Sequence, residues 1–155
     1  MNVCIGGTFD RLHKGHKILL KKAFEVAGEK GKVFIGITSD NFIKDKKNVK
    51  SLNVRLTNIK KYLKKEGYEK KYFIQPISNK FGTSINGDFA AIVVSSETKK
   101  NAQEINKKRI KLGKKPLKII AIKLVLAEDD LSISSTRIRN NEIDENGRII
   151  KSNNN

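Results

Sequence analysis

At 155 residues with one cysteine and a formal charge of +17, the chain is sized for a single domain that buries its core without disulfides or metals. One thiol cannot form an internal disulfide, which points to a cytoplasmic protein, and no apolar run or leading segment suggests a membrane or a targeting signal. The lysines are scattered through 44–50, 60–71, 99–100 and 107–118, with few aromatics among them, so the expected surface is solvated and basic, without a nucleic-acid partner. Such a surface favours small anionic substrates by steering.

Residues 1–8 read as a first strand, followed by Gly6-Gly7-Thr8-Phe9-Asp10-Arg11-Leu12-His13-Lys14-Gly15-His16. A helix over 16–30 carries Leu20, Ala23, Phe24 and Ala27 at helical spacing, with Gly28 and Gly31 to end it. The run 33–38 has the continuous apolar character of a strand covered on both faces. After a lysine-rich loop, a second helix over 53–66 places Leu56, Ile59 and Leu63 on one face. A third strand over 72–75 is expected to stop at Pro76, and 79–88 reads as a loop. A fourth strand over 90–94, a helix over 101–112 and a somewhat irregular strand over 117–126 follow. Ser134 starts a short last helix, and 152–155 reads as a disordered tail. This alternation predicts a single Rossmann-like α/β domain over 1–151, with a parallel five-stranded sheet and helices on both faces. Its ligand would sit beyond the carboxyl ends of the strands, where the strand order reverses.

Two stretches carry chemistry. The only two histidines, His13 and His16, fall at a helix start beside Thr8 and two glycines. A zinc site would need a third ligand, and Cys4 is the only thiol. Helix capping with a surface histidine is the plainest alternative. Two imidazoles, a hydroxyl and a helix start together suit a polyphosphate. Near the other end, Ile133-Ser134-Ser135-Thr136-Arg137-Ile138-Arg139 sets three hydroxyls before two arginines, whereas one cap needs one hydroxyl.

These motifs, GTFD with HKGH and later ISSTRIR, resemble the nucleotidyltransferase superfamily marked by HxGH and ISSTxxR. With Val93-Val94-Ser95-Ser96-Glu97-Thr98, Glu104-Ile105-Asn106, Arg109 and Ile143-Asp144, the chain resembles the archaeal and eukaryotic type of phosphopantetheine adenylyltransferase over nearly its whole length. The resemblance implies transfer of AMP from ATP to 4′-phosphopantetheine, giving dephospho-coenzyme A and pyrophosphate. It implies that His16 and Thr8 contact the reacting phosphoryl group and that His13 binds nearby phosphate oxygens. Ser134, Ser135, Thr136 and Arg139 would hold the departing pyrophosphate, and Gly7, Phe9 and Asp10 would belong to the same substrate site. Mg²⁺ would ride on the ATP phosphates. Related cytidylyltransferases place a phosphate-contacting lysine after strand two; Lys46 is favoured here, with Lys44 and Lys47 as alternatives.

Other positions stay open. Arg55 is expected to brace the lysine-rich loop. Arg109 lies in the apolar stripe of its helix, so an ion pair with Glu97 or Asp88 is the favoured reading, with a nucleotide-pocket role second. Asp10 and Arg11 are open between arm recognition and turn hydrogen bonds. The loop 81–88 lacks the proline usual in the family after its glycine, which leaves its role open. Rival readings are a cytidylyltransferase, an FAD synthase, or a non-catalytic nucleotide- or RNA-binding module. The run Ala127-Glu128-Asp129-Asp130-Leu131 replaces the arginine-bearing segment usual before the hydroxyl cluster in cytidylyltransferases, which counts against the first. No oligomeric state follows from the sequence, and a monomer is the default.

Overall fold

The computed structural model describes residues 1–43, 48–69 and 71–151. In chain order the elements are β1 (Val3–Gly7), α1 (Lys14–Ala27), β2 (Val33–Thr38), a 3₁₀ turn (Asp40–Phe42), α2 (Leu52–Lys65) and β3 (Tyr72–Ile77), followed by β4 (Ala91–Ser95), α3 (Lys99–Lys111), β5 (Lys118–Ile122) and α4 (Ser135–Arg139). The strands form one parallel sheet in the order β3-β2-β1-β4-β5. Strand order reverses between β1 and β4, which opens the crevice expected at the carboxyl edge.

Period-2 alternation splits the core into two layers. Val3, Ile5, Val33, Ile35, Ala91 and Val93 pack with Leu20, Ala23 and Phe24 of α1 and with Ile59 and Leu63 of α2. Cys4, Ile92 and Val94 face the opposite way, onto Ala102 and Ile105 of α3 and onto Phe81, Ile85 and Phe89. Right-handed crossovers explain the split: β1-α1-β2-α2-β3 winds one way from the switch point and β4-α3-β5 the other. The β3-to-β4 return has no helix, so the 78–90 segment covers the α3 face instead.

Several expectations shift for physical reasons. α1 begins at Lys14 rather than near residue 16, because His13 caps it. Pro76 does not stop β3 but lies within it, paired with Ile37. β3 is the edge strand, where a missing N–H need not break a ladder. The fifth strand ends at Ile122 instead of running to residue 126; the chain then leaves the sheet and turns through a small hairpin in which Leu126 bridges Ser132. Lysines 44, 46 and 47 and the tail 152–155 lie outside the described residues.

Candidate active site

A cavity of about 270 Å³ opens at the carboxyl ends of β1 and β4, walled by Gly6, Gly7, Phe9, His13, His16, Ser95, Glu97, Thr98, residues 122–125, Ile133, Ser134 and Ser135. The truncated β5 matters here, because residues 123–125 rim the cavity only after leaving the sheet. The two sequence motifs, about 120 residues apart, meet on its wall.

His13 and His16 build a capping box from imidazoles. His13 Nδ1 accepts from the N–H groups of Gly15 (3.0 Å) and His16 (3.3 Å), and His16 Nδ1 accepts from the His13 N–H (3.2 Å). The rings stack with centroids 3.6 Å apart, and Phe9 packs against His16 at 5.2 Å. With both Nδ1 atoms accepting, the proton of each neutral ring must sit on Nε2. Neither Nε2 has a protein partner among the described residues. Burial lowers the His13 pKa to about 4. Burial, then the neighbouring His13, lowers that of His16 to about 3, against a smaller opposing pull from Asp10. At neutral pH the pair therefore offers two neutral N–H donors in fixed tautomers. Gly15 is required between them: a Cβ there would stand 2.9 Å from His13 Cε1.

Thr8 is positioned from behind. Thr38 at the end of β2 donates its hydroxyl to Thr8 Oγ1 at 3.0 Å, which leaves the Thr8 proton for another acceptor. Arg55, 1 % exposed, donates to the carbonyls of Thr8 (3.0 Å), Thr38 (2.7 Å) and Lys50 (2.9 Å) and to the Asp40 carboxylate (2.9 Å). The brace expected at Arg55 is present, and it ties the ends of β1 and β2 together. Sequence reasoning missed Thr38. Its only signal was a hydroxyl at a strand's carboxyl end.

The turn Phe9-Asp10-Arg11 holds Phe9 (φ 53°) and Arg11 (φ 47°) in left-handed backbone, which costs energy for non-glycine residues. Asp10 between them is 2 % exposed. It accepts from the Lys50 N–H (2.9 Å), Arg11 (2.7 Å) and Arg139 (2.7 Å). Burial pushes its carboxyl up, but these three donors outweigh burial and hold it below the usual carboxylate range. The hydrogen bonds expected of Asp10 and Arg11 in the turn are present, with Arg11 also bonded to the Asn48 carbonyl.

All three clustered hydroxyls are engaged. Ser134 caps α4 by accepting from the Arg137 N–H, Ser135 donates to the Asp10 carbonyl, and Thr136 accepts from Arg139. Ser134 and Ser135 line the cavity, whereas Thr136 and Arg139 are not among the residues that wall it. With five residues, α4 contributes little dipole, so hydroxyls and side-chain charge must do the anion work there.

Arg109 corrects an expectation. It pairs with neither Glu97 nor Asp88; it is 5 % exposed and donates to the carbonyls of Ser84 (2.9 Å), Ile85 (3.2 Å), Gly87 (2.9 Å) and Lys115 (2.8 Å). Nor does it line the cavity at β1 and β4. A guanidinium's fan of donors suits a cluster of carbonyls left bare by an irregular loop. Asn106 does similar work, exchanging two hydrogen bonds with the Leu117 backbone at the entry to β5.

The loop that Arg109 pins encloses a second cavity, of about 210 Å³, on the α3 face of the sheet. Cys4, Phe34, Phe73, Ile77 and Phe81 are among its apolar members, and Thr38, Gln75, Lys80, Thr83, Ser84, Thr98 and Asn101 are its polar ones. The two cavities share Gly6, Gly7 and Thr98, so they meet across the glycine pair that ends β1. Lys46 lies outside the described residues.

Residues 4–141 match the family model described as cytidylyltransferase-like. The chain is 47% identical over 150 residues to a phosphopantetheine adenylyltransferase of Methanosarcina mazei, covering 96% of this chain and 97% of the relative. It is 46% identical over 151 residues to one from Methanothermobacter thermautotrophicus, covering 96% of this chain and 89% of that protein. Among solved structures, a protein of unknown function from Archaeoglobus fulgidus superposes with a TM-score of 0.70 at 36% identity, over 79% of this chain and 89% of that one.

Proposed function

The chain belongs to the phosphopantetheine adenylyltransferases of the cytidylyltransferase-like family, and from that premise we infer that it transfers the adenylyl group of ATP to 4′-phosphopantetheine, releasing pyrophosphate and dephospho-coenzyme A. The observation that carries this reading is the pair of cavities meeting at Gly6-Gly7, one walled by both sequence motifs and the other running between β3 and α3. ATP occupies the first and the pantetheine arm the second, which brings the acceptor phosphate to the α-phosphorus beside Thr8.

The reaction needs little proton chemistry. A phosphate monoester has its second pKa near about 6, so the attacking oxygen is already largely ionised at neutral pH. That oxygen forms a bond to the α-phosphorus while the bond to the bridging oxygen breaks, and pyrophosphate leaves with the electron pair. The obstacle is bringing two anions together, which fixed donors overcome by position and preorganised polarity. Thr8 donates from a hydroxyl held by Thr38, and His16 and His13 donate from Nε2. Ser134 and Thr136 retain hydroxyl protons for the departing pyrophosphate, while Ser135 and Arg139 reach it by exchanging their contacts with Asp10. Lys46 would add a cation from the loop after β2. Mg²⁺ carried by the nucleotide would add charge neutralisation, and Glu97, the one carboxylate among the cavity residues, is a donor set suited to an ion that arrives on its substrate. A cytoplasmic location fits a step using these two metabolites.

Pyrophosphate release should be measured with ATP or CTP against 4′-phosphopantetheine, glycerol 3-phosphate and FMN. Turnover is expected with ATP and 4′-phosphopantetheine. Turnover with CTP and glycerol 3-phosphate, and none with phosphopantetheine, overturns the assignment.

A further inference from the structure

Ser134 and Ser135 stand at the start of α4, whose five residues make little more than one turn. A helix that short does not hold its own shape, so its position is set by what ties it to its surroundings. Two ties reach Asp10, from the Ser135 hydroxyl and from Arg139 (2.7 Å), and Ile138 packs against the small cluster of Ala127, Ile133 and Ile143. Among the described residues, the remaining hydrogen bonds from α4 side chains to the surrounding chain belong to Arg137. Its guanidinium forks onto the Asp129 carboxylate, through Nη1 at 3.2 Å and through Nη2, and Nη1 also donates to the Ser132 carbonyl at 3.1 Å. Nε donates to Glu142 at 2.9 Å, and the main-chain N–H of the same arginine donates to Ser134 Oγ at 3.2 Å. Asp129 and Ser132 belong to the hairpin before α4 and Glu142 to the turn after it, so one side chain pins both flanks of the hydroxyl-bearing segment. A bidentate carboxylate pair fixes direction as well as distance. The guanidinium holds the Asp129 carboxyl below its usual range, so the fork stays ionised at neutral pH.

We propose that Arg137 is a positioning residue for the pyrophosphate end of the nucleotide: without touching substrate, it sets where the Ser134 and Ser135 hydroxyls stand, with the acidic run 127–131 as its anchor. The proposal rests on the adenylyl-transfer reading, in which Ser135 and Arg139 give up Asp10 to reach the departing pyrophosphate. During that exchange both ties to Asp10 are gone, and Arg137 alone keeps the side chains of α4 hydrogen-bonded to the surrounding chain. Arg137 has the charge to bind phosphate itself, but its donors are directed at two carboxylates and a carbonyl, and it is not among the residues that wall the cavity.

The test measures calorimetric binding of inorganic pyrophosphate, with Mg²⁺ present, to the wild-type protein, Arg137→Met and Asp129→Asn, beside Tm and turnover with ATP and 4′-phosphopantetheine. Asp129→Asn keeps an oxygen for the Leu131 N–H and sets an amide against the guanidinium in place of the fork. By charge alone, removing a carboxylate near an anion site strengthens pyrophosphate binding, whereas loss of the clamp weakens it, so the sign separates the two. Both variants should weaken pyrophosphate binding about tenfold and lower kcat by a similar factor, with the KM for 4′-phosphopantetheine unchanged. Unchanged or tighter pyrophosphate binding in folded Asp129→Asn overturns the proposal, as does failure of pyrophosphate to bind the wild-type protein. A rise in the 4′-phosphopantetheine KM that matches the loss of pyrophosphate affinity also overturns it, because that pattern marks a general loosening of the fold. If Arg137→Met does not fold, Asp129→Asn decides alone. Pyrophosphate binding that weakens as expected in the variants, with no turnover of 4′-phosphopantetheine by the wild-type protein, would instead overturn the acceptor assignment and leave the clamp standing.

Discussion

At neutral pH both imidazoles of the capping box are uncharged, because burial lowers their folded pKa values to about 4 and about 3. An unfolded histidine titrates near about 6.5, so the unfolded chain binds more protons as pH falls below that value. Stability is therefore complete above pH of about 6.5 and is lost progressively down to the folded values; for His13 alone the loss is on the order of 2 kcal/mol at pH 5. Thermal unfolding followed from pH 7 to pH 5 should show this decline, and His13→Asn should flatten it. A second outcome concerns ATP. Bound phosphate beside Nε2 raises the imidazole pKa, so binding near pH 5 should take up protons, seen calorimetrically as a dependence on buffer ionisation enthalpy. At Thr38 the prediction is kinetic. Thr38→Val should lower kcat about tenfold with a modest change in Tm, and Thr38→Ser should restore it; unchanged turnover in the valine variant would leave Thr8 oriented by something else.

At the scale of elements, the 81–88 loop and α3 behave as one unit through Arg109. Arg109→Met would orphan four backbone carbonyls, costing about 3 kcal/mol or more. If the protein still folds, KM for phosphopantetheine should rise while ATP affinity holds, because the loop walls the cavity proposed for the arm and not the one proposed for ATP; the reverse pattern would place Arg109 with the nucleotide. The sequence could not point to this role, since its partners are main-chain oxygens of an irregular segment, and pattern reading compares side chains with side chains. Thr38 escaped for a related reason: it acts through Thr8, a neighbour across the sheet at a separation no periodicity encodes. The elements themselves were readable, because apolar runs and helical spacing are local. Their ends were not, as Pro76 inside β3 and the early stop of β5 demonstrate.

Taken whole, the fold and the meeting of the two motifs at one cavity followed from alternation and strand order, while the second cavity did not. The reason is that its walls come from Cys4, Phe34, Phe81 and Ile105, residues that read simply as core. The +17 charge belongs to the molecule at large and acts on two anionic substrates from a distance. Raising salt from about 0.05 M to about 0.5 M should raise KM for ATP and leave kcat nearly constant, since screening weakens encounter more than contacts within the cavity. A salt-insensitive KM would confine the charge to solubility.

Cys4 sits in β1, the middle strand of the sheet, 4 % exposed, with burial pushing its pKa up to about 11. A thiol that is un-ionised and almost wholly buried reacts only slowly with alkylating reagents while the sheet is intact. As the chain's single cysteine, it is a built-in clock for native-state opening: the labelling rate reports how often the central strand comes apart, residue by residue silent otherwise. Added ATP should slow that clock by the ligand's own contribution to stability, so one unmodified thiol can report nucleotide affinity without a catalytic assay.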